Sequence, residues 1–282
     1  CSMESNTKKV TSVWAKVLIY VALSLGAIIM LFPFIFMILT SLKTYSESIA
    51  VPPKLLPNVA QFENYKIAME MAPFDIYFKN TVISAVGNTV LTLFVTIFAA
   101  FAFTRYKFYG SNTIFTLLLA TMMVPGEMLI IQNYQTVSAF GWIDTFQGLI
   151  IPYIANVFYI FLLRQYFMQI PEQLYKAAKI DGCSDWKYLW KIMIPNTISA
   201  IVTIAILNFI ASWNAFLWPL LITNNDKMRV LTIGLTHFTN ESGSQVHLQM
   251  AAATIIIIPV VIIYLFLQKY IISGVTRGGL KG

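Results

Sequence analysis

Charge is scarce in this chain. Of its 282 residues only 11% are Asp, Glu, Lys or Arg, while 58% are hydrophobic. A soluble globular domain carries about a quarter charged residues, so that class is excluded. Histidine is nearly absent: His237 and His247 are the only two. Both fall in a predicted outer loop or its rim, and neither has a carboxylate or cysteine at metal-ligand spacing, so each reads as a solvated loop residue. No histidine lies within an apolar run, which leaves an intramembrane Ser-His-Asp site without a base. Cysteine occurs twice, as Cys1 and Cys183, so no disulfide framework is implied. Cys1-Ser2 ahead of Met3 reads as a remnant before a native start, and the first apolar run is too long for a cleavable signal peptide. No Gly-x-x-x-x-Gly-Lys-Ser/Thr loop is present to cradle a nucleotide. The chain therefore reads as a non-catalytic protein with no cofactor or metal of its own. Its net charge of +7 does not point to nucleic acid, because the Lys and Arg form no continuous basic face.

What the chain has in abundance is long apolar runs. A helix needs about 20 mostly apolar residues to cross a bilayer. Six candidates follow: 18–42, 81–104, 112–132 (broken at Val124-Pro125-Gly126-Glu127), 146–167, 196–217 between Pro195 and Pro219, and 248–267. The expected fold is an all-α membrane protein of six transmembrane helices. A segment 1–17 precedes the six-span domain 18–272, and a tail 273–282 follows. Residues 44–79 form an exposed loop, with a short amphipathic helix at 62–71 on the membrane surface. The run 192–225 is the uncertain element, since a second crossing there would move the tail to the other side.

Six spans place both termini on one side. Lys43, Lys54, Lys66, Lys79, Lys227 and Arg229 fall on the opposite side, and the remaining 13 of the 19 basic residues fall with the termini. The excess marks the terminal side as cytoplasmic.

One stretch between apolar runs, Pro171 to Pro195, holds Glu172, Lys176, Lys179, Asp181, Asp185, Lys187 and Lys191. Each such charge costs about 2.5–3.5 kcal/mol at a bilayer centre, so the stretch lies outside the hydrocarbon. Pro171 suits a first helical position, Glu172 the positive end of a helix dipole, Gly182 a stop, and Ser184 or Asp185 the cap of a second helix. Ala177 and Ala178 leave a hollow where a partner's surface approaches closely. Within the spans, Asn88 and Asn208 suit helix–helix hydrogen bonds. Trp213 and Asn214 suit either packing or a sugar pathway, the indole stacking on a ring and the amide bonding its hydroxyls. Glu127, an acidic residue near a span, reads either as a functional group or as a residue near the outer end of its span, where Pro125 and Gly126 loosen the helix and water reaches it.

The 171–195 stretch resembles the EAA loop of permease subunits of ATP-binding-cassette (ABC) importers, with Ala177, Ala178, Asp181, Gly182 and Pro195 in the matching places. Lys176 stands where that family has its Glu. The run Trp213-Asn214-Ala215-Phe216-Leu217-Trp218-Pro219 and the tail 274–282 are similar to the carbohydrate-uptake branch, in particular the smaller maltose-type permease subunit. The family usually has an acidic residue at the place of Ala215. The resemblance implies a type I ABC importer permease bundle in the bacterial cytoplasmic membrane, importing a carbohydrate, in particular an oligosaccharide. Polyol phosphates such as glycerol phosphate are the alternative cargo, and an ion-coupled secondary transporter is the rival mechanism. Glu172, Ala177, Ala178, Asp181 and Gly182 would dock on a cytoplasmic ATPase subunit, and Gly279, Leu280, Lys281 and Gly282 would make a second contact. The implied partners are two ATPase subunits carrying ATP and Mg, a second homologous permease subunit, an extracytoplasmic sugar-binding protein and membrane lipid.

Overall fold

A computed structural model describes residues 13–240 and 243–279. The chain runs through α1 (Val13–Ser41), α2 (Tyr45–Ser48), α3 (Glu63–Glu70), α4 (Phe74–Arg105), α5 (Ser111–Thr121) and, after a 3-10 turn at Gly126–Leu129, α6 (Ile130–Ala139). Next come α7 (Phe146–Ile150), α8 (Val157–Met168), α9 (Glu172–Ile180) and α10 (Asp185–Tyr188), which passes through a π-helical stretch, Leu189–Met193, into α11 (Ile194–Asn196). The last elements are α12 (Ile198–Trp213), α13 (Leu217–Ile222), α14 (Leu231–Gly234) and α15 (Val246–Gly279). Among the described residues the only extended pairing is Thr239–Asn240 with Gly243–Ser244, so the fold is all-α.

Three helices are long and apolar enough to cross a membrane unaided: Trp14–Ser41, Phe74–Arg105 and Val246–Phe266. Three bent pairs meet the same standard together, Ser111–Thr121 with Gly126–Ala139 at 90°, Phe146–Tyr153 with Val157–Met168 at 50°, and Asp185–Asn196 with Ile198–Trp213 at 80°. Counting each bent pair once gives the expected six, with the charged Asp185–Asn196 half of the last pair belonging to the stretch read as lying outside the hydrocarbon. The breaks fall where the backbone loses donors or gains freedom. Pro125 and Gly126 part α5 from α6, as expected. The helix between Pro195 and Pro219 is shorter than its bracket: Pro195 sits inside α11, and Pro219 falls in the first turn of α13, where its missing N–H costs nothing. With six residues, about 9 Å at 1.5 Å per residue, α13 is too short to cross, so the 192–225 run makes one crossing.

The chain divides into two units. The first, Cys1–Ala68 with Phe238–Thr254, is organised around Lys43 just past α1. Only 1% of Lys43 is exposed. Its ammonium donates to the Lys54 carbonyl at 2.6 Å and the Thr40 hydroxyl at 3.2 Å and lies 4.7 Å from the Phe36 ring centre. Desolvation lowers its pKa, with the Glu47 charge opposing. Thr44 and Glu47 close α2 with a reciprocal cap, and Glu47 also accepts the Asn58 N–H at 3.1 Å. The loop between α1 and α3 is thereby tied at both ends while 51–56 stays exposed. The helix expected at 62–71 forms as α3.

The second unit, Met69–His237 with Ile255–Gly282, is built on α4. That helix packs along α12 and α8, and its inward stripe is polar or small: Tyr77, Thr81, Ala85, Asn88, Thr92, Thr96 and Ala100 are buried, while Val86, Val90, Leu91 and Phe94 face outward. The spacing is that of one helix face. The polarity is reversed from a soluble helix, because hydrocarbon surroundings reward close packing and interhelical hydrogen bonds at the interface. At mid-helix the Asn88 carboxamide oxygen accepts from Asn208 Nδ2 at 2.9 Å and Ser212 Oγ at 3.1 Å, both on α12, and its Nδ2 donates to the Ile150 carbonyl at 3.1 Å. Asn88 and Asn208 therefore serve helix packing as the sequence suggests. Gly87 lets Ile150 close in, since a Cβ there would meet its Cδ1 at 2.9 Å.

Removing this node takes the Asn88 partner from Ser212 and from the Ile150 carbonyl, and leaves Asn208 Nδ2 only the Thr89 hydroxyl at 3.4 Å. Asn88→Ala is expected to cost about 1 kcal/mol, in line with interhelical bonds in membranes, and to lower the thermal midpoint of the detergent-purified protein. An unchanged midpoint would show the node to be dispensable.

Candidate functional site: a charged elbow and a cleft

The charged stretch folds into an elbow. Pro171 caps α9 one place earlier than expected, with Glu172 as the first helical residue. The helix ends on Gly182 at φ +72°, a conformation that favours glycine. The Cys183 N–H reaches back to the Ala178 carbonyl at 2.8 Å and the Gly182 N–H to Lys179 at 3.1 Å, which is the Schellman pattern. Ser184 then caps α10, accepting the Lys187 N–H.

Three contacts fix the angle between the two helices. Asp185 at the start of α10 pairs with Lys179 of α9 at 2.7 Å and accepts the hydroxyls of Tyr175 at 2.7 Å and Tyr106 at 3.3 Å. The hydrogen bond from Lys179 holds the Asp185 carboxyl below the usual carboxylate range, and the same bond raises the Lys179 pKa. Tyr175 and Tyr188 meet edge to face at 4.9 Å. The Arg105 guanidinium lies 5.7 Å from both rings and donates to the Ile170 carbonyl at 3.1 Å. The elbow is thus clamped to the C-terminal end of α4. Beneath it, Ala178, Tyr188, Leu189 and Met193 join a buried cluster with Ala100, Phe101, Leu163, Phe167 and Ile204.

The alanine pair divides. Ala177 is exposed, whereas Ala178 is 8% exposed and turns into that cluster. Ala178 seats the helix on its own bundle, so of the pair only Ala177 remains on the outer face. Glu172, Asp181 and Gly182 are exposed with it. Lys176, at the place of the family's Glu, pairs with Glu172 one turn earlier at 3.4 Å across open surface. The outer face also carries two apolar residues that the sequence reading passed over, Leu174 and, 87% exposed, Ile180. Charged residues on both sides had masked them. Of the second docking group, Gly279 ends α15, and Leu280, Lys281 and Gly282 lie outside the described residues.

A cleft of about 390 Å³ opens further along the second unit, lined by groups from α4, α8, α12 and α13 and from the turns beside α6 and α7. Asn88, Asn156, Asn208, Ser84 and Ser212 supply polar atoms, Tyr153, Tyr159, Phe216 and Trp218 supply rings, and Glu127 stands on the wall at the break between α5 and α6. Glu127 is exposed, as expected, but it faces this cleft. Trp213 and Asn214 do not line it. Trp213 is 2% exposed, donates to the Ile256 carbonyl at 3.3 Å and is packed by Phe78 and Phe209, so of the two readings left open for it packing holds. Asn214 is exposed at the end of α12, between Ser212 and Ala215, which do line the cleft. The residues that do reach the cleft, Ala215 to Pro219, come just after the helix break, which sequence periodicity does not locate.

His237 is not merely solvated. Its Nε2 lies 3.2 Å from the Tyr77 hydroxyl and 3.4 Å from Arg229, which pairs with Asp226 at 2.8 Å. This network anchors the loop after α13 to the start of α4. No group of three or more metal-ligating side chains occurs among the described residues.

Up to six apolar spans, a polar cleft among them and an ordered charged elbow at one end define a multi-pass membrane transport subunit. The chain matches the family described as binding-protein-dependent transport system inner membrane component over residues 92–277, and it belongs to that family. It is 36% identical over 261 residues to the arabinooligosaccharides transport system permease protein AraQ of Bacillus subtilis (strain 168), covering 91% of this chain and 92% of that one. It is 35% identical over 272 residues to the trehalose/maltose transport system permease protein MalG of Thermococcus litoralis, covering 95% and 97%. Among solved structures it is similar to a chain of a bacterial ABC transporter involved in the import of the acidic polysaccharide alginate, with a TM-score of 0.78 and 26% identity over 90% of this chain and 95% of that one. The protein is thus an ABC importer permease, a multi-pass component of the bacterial inner membrane.

The Lys179–Asp185 pair gives the elbow a pH dependence. A depressed carboxyl pKa contributes stability that is present above its unfolded value, about 4, and is lost as pH falls through the folded one. Amide hydrogen exchange in 172–188, corrected for its intrinsic rate, should therefore be flat from about pH 5 to 8 and rise on further acidification. Asp185→Asn should show the raised exchange at neutral pH. An Asp185→Asn elbow as protected as the wild type would mean that the apolar seat alone holds it.

Proposed function

We propose that this chain is a permease subunit of an ATP-driven, binding-protein-dependent importer of carbohydrate, in particular oligosaccharide. The observation that carries this reading is an elbow locked at Gly182 and clamped to α4, the helix that also lines the cleft. A push on α9 therefore reaches α4 as a rigid movement, without being absorbed by a loop. The names of the arabinooligosaccharide and trehalose/maltose relatives support the cargo class.

In this reading the termini and the elbow face the cytoplasm, in keeping with the basic residues gathered on that side. An ATPase subunit receives the outer face of α9: Glu172, Ala177, Asp181 and Gly182, with Leu174 and Ile180 as apolar anchors. Ala178 contributes by seating the helix from below, and the tail at 279–282 makes a second contact. ATP and Mg reside on the ATPase pair, so this subunit catalyses no chemistry. A second permease subunit completes the pathway, and an extracytoplasmic binding protein delivers the sugar. Closure of the ATPase pair then shifts the bundle between two arrangements, and cargo biases that shift only through different affinity for the two.

Gly182 tests the coupling. A β-branched residue in the left-handed region costs about 1–2 kcal/mol, whereas Asn tolerates it. Gly182→Val should insert normally yet lower ATP-driven uptake at least tenfold while ATP hydrolysis by the complex persists. Gly182→Asn should retain most uptake. Equal uptake by Gly182→Val and wild type would reject the elbow as the coupling element.

A further inference from the structure

The wall of the cleft carries one sign of charge. Among its lining residues Glu127 is the only ionisable carboxylate, and neither Lys nor Arg is present. Its other groups are neutral hydrogen-bonding side chains and aromatic rings. Tyr153 and Phe216 are 39% and 42% exposed, which leaves surface free to cover an apolar sugar face. Trp218 is held still by its bond to the Gly148 carbonyl at 3.0 Å and packs edge to face on Tyr153 at 5.4 Å, so the aromatic wall is preorganised. Rings with a few placed polar groups are the usual lining of a small-molecule site.

We infer that this cleft is a cargo-contacting site whose Glu127 restricts passage to uncharged saccharides and excludes uronates and sugar phosphates. The inference rests on the carbohydrate reading above and narrows its substrate class. An anionic cargo entering this volume meets a carboxylate with neither Lys nor Arg among the lining residues to offset it, and like charges repel at that range. A neutral saccharide meets no such barrier, and its hydroxyls donate to Glu127, Asn156 and Ser212. The fold itself does not dictate cargo charge, because a solved transporter of the same fold imports an acidic polysaccharide. The discrimination therefore lies in the side chains of the cleft. It also removes glycerol phosphate from the candidate cargoes.

The test uses the assembled transporter in lipid nanodiscs with the binding protein omitted, so that selection by the permease is read directly. Labelled arabinotriose and maltotriose serve as neutral probes, and unlabelled trigalacturonate and glycerol phosphate compete. In the wild type the anions should compete at least tenfold more weakly than unlabelled neutral trisaccharide. Glu127→Gln should keep neutral binding and narrow the gap, and Glu127→Lys should reverse it. Equal competition in the wild type, or a ratio unmoved by both variants, overturns the inference. ATP-driven uptake with the binding protein restored is measured alongside. Retained neutral uptake with an unmoved ratio overturns the charge restriction alone. No uptake of either neutral trisaccharide by the wild type overturns the carbohydrate reading and this inference together.

Discussion

Hydrocarbon offers no hydrogen bonds, and the second unit is arranged around that fact. A membrane helix gains little from burying Leu or Val against another helix, since lipid is as apolar as they are. It gains from packing small residues closely and from pairing polar groups that would otherwise be stranded. The middle of α4 follows this logic, with Thr, Asn and Ala inside and Val86, Val90, Leu91 and Phe94 outside, while Ile97 and Phe101 turn inward beneath the elbow. The Asn88 node joins it to α12 and to the end of α7 at one point. The hydroxyls of Thr81 and Thr89 bond back to their own helix, so few polar groups are left to search for partners.

From this axis the two candidate sites follow. At the C-terminal end of α4, Arg105 reaches the end of α8 and the two tyrosines of the elbow, so the charged stretch is an extension of the bundle. Midway, the breaks at Pro125-Gly126 and at 214–216 open α4 and α12 to a cleft. Broken helices are costly in lipid and are tolerated where they line a cavity or are buried in protein. The 90° bend beside Glu127 fits that rule, since the freed backbone lies next to a polar wall.

The resemblance of the 171–195 stretch to the EAA loop is sharpened by the geometry. Gly182 is favoured by backbone conformation, and Ala178 lies beneath α9 in the bundle's own buried cluster. Ala177 alone of the pair presents a small surface outward. The charge reversal at Lys176 is absorbed locally by Glu172. Asp185 reads in sequence as a cap, but its contacts with Lys179, Tyr175 and Tyr106, the last 79 residues away in the chain and 3.3 Å away in space, appear only in the fold.

Much of the architecture is legible in the sequence because it follows from local rules. Apolar length sets the spans, clustered charge sets the segment that leaves the hydrocarbon, and Gly and Pro set the break at 125–126, though not the one at 214–216. The elbow's ends could be read at Gly182 and Ser184 for the same reason, since capping involves residues three to five apart. What only the tertiary structure decided is facing. Whether Trp213 packs or lines a passage depends on Ile256, 43 residues away, and whether Glu127 meets water or a cleft depends on where α8 and α13 lie. An indole or a carboxylate is compatible with either fate, and the choice belongs to the neighbours that long-range packing brings to it.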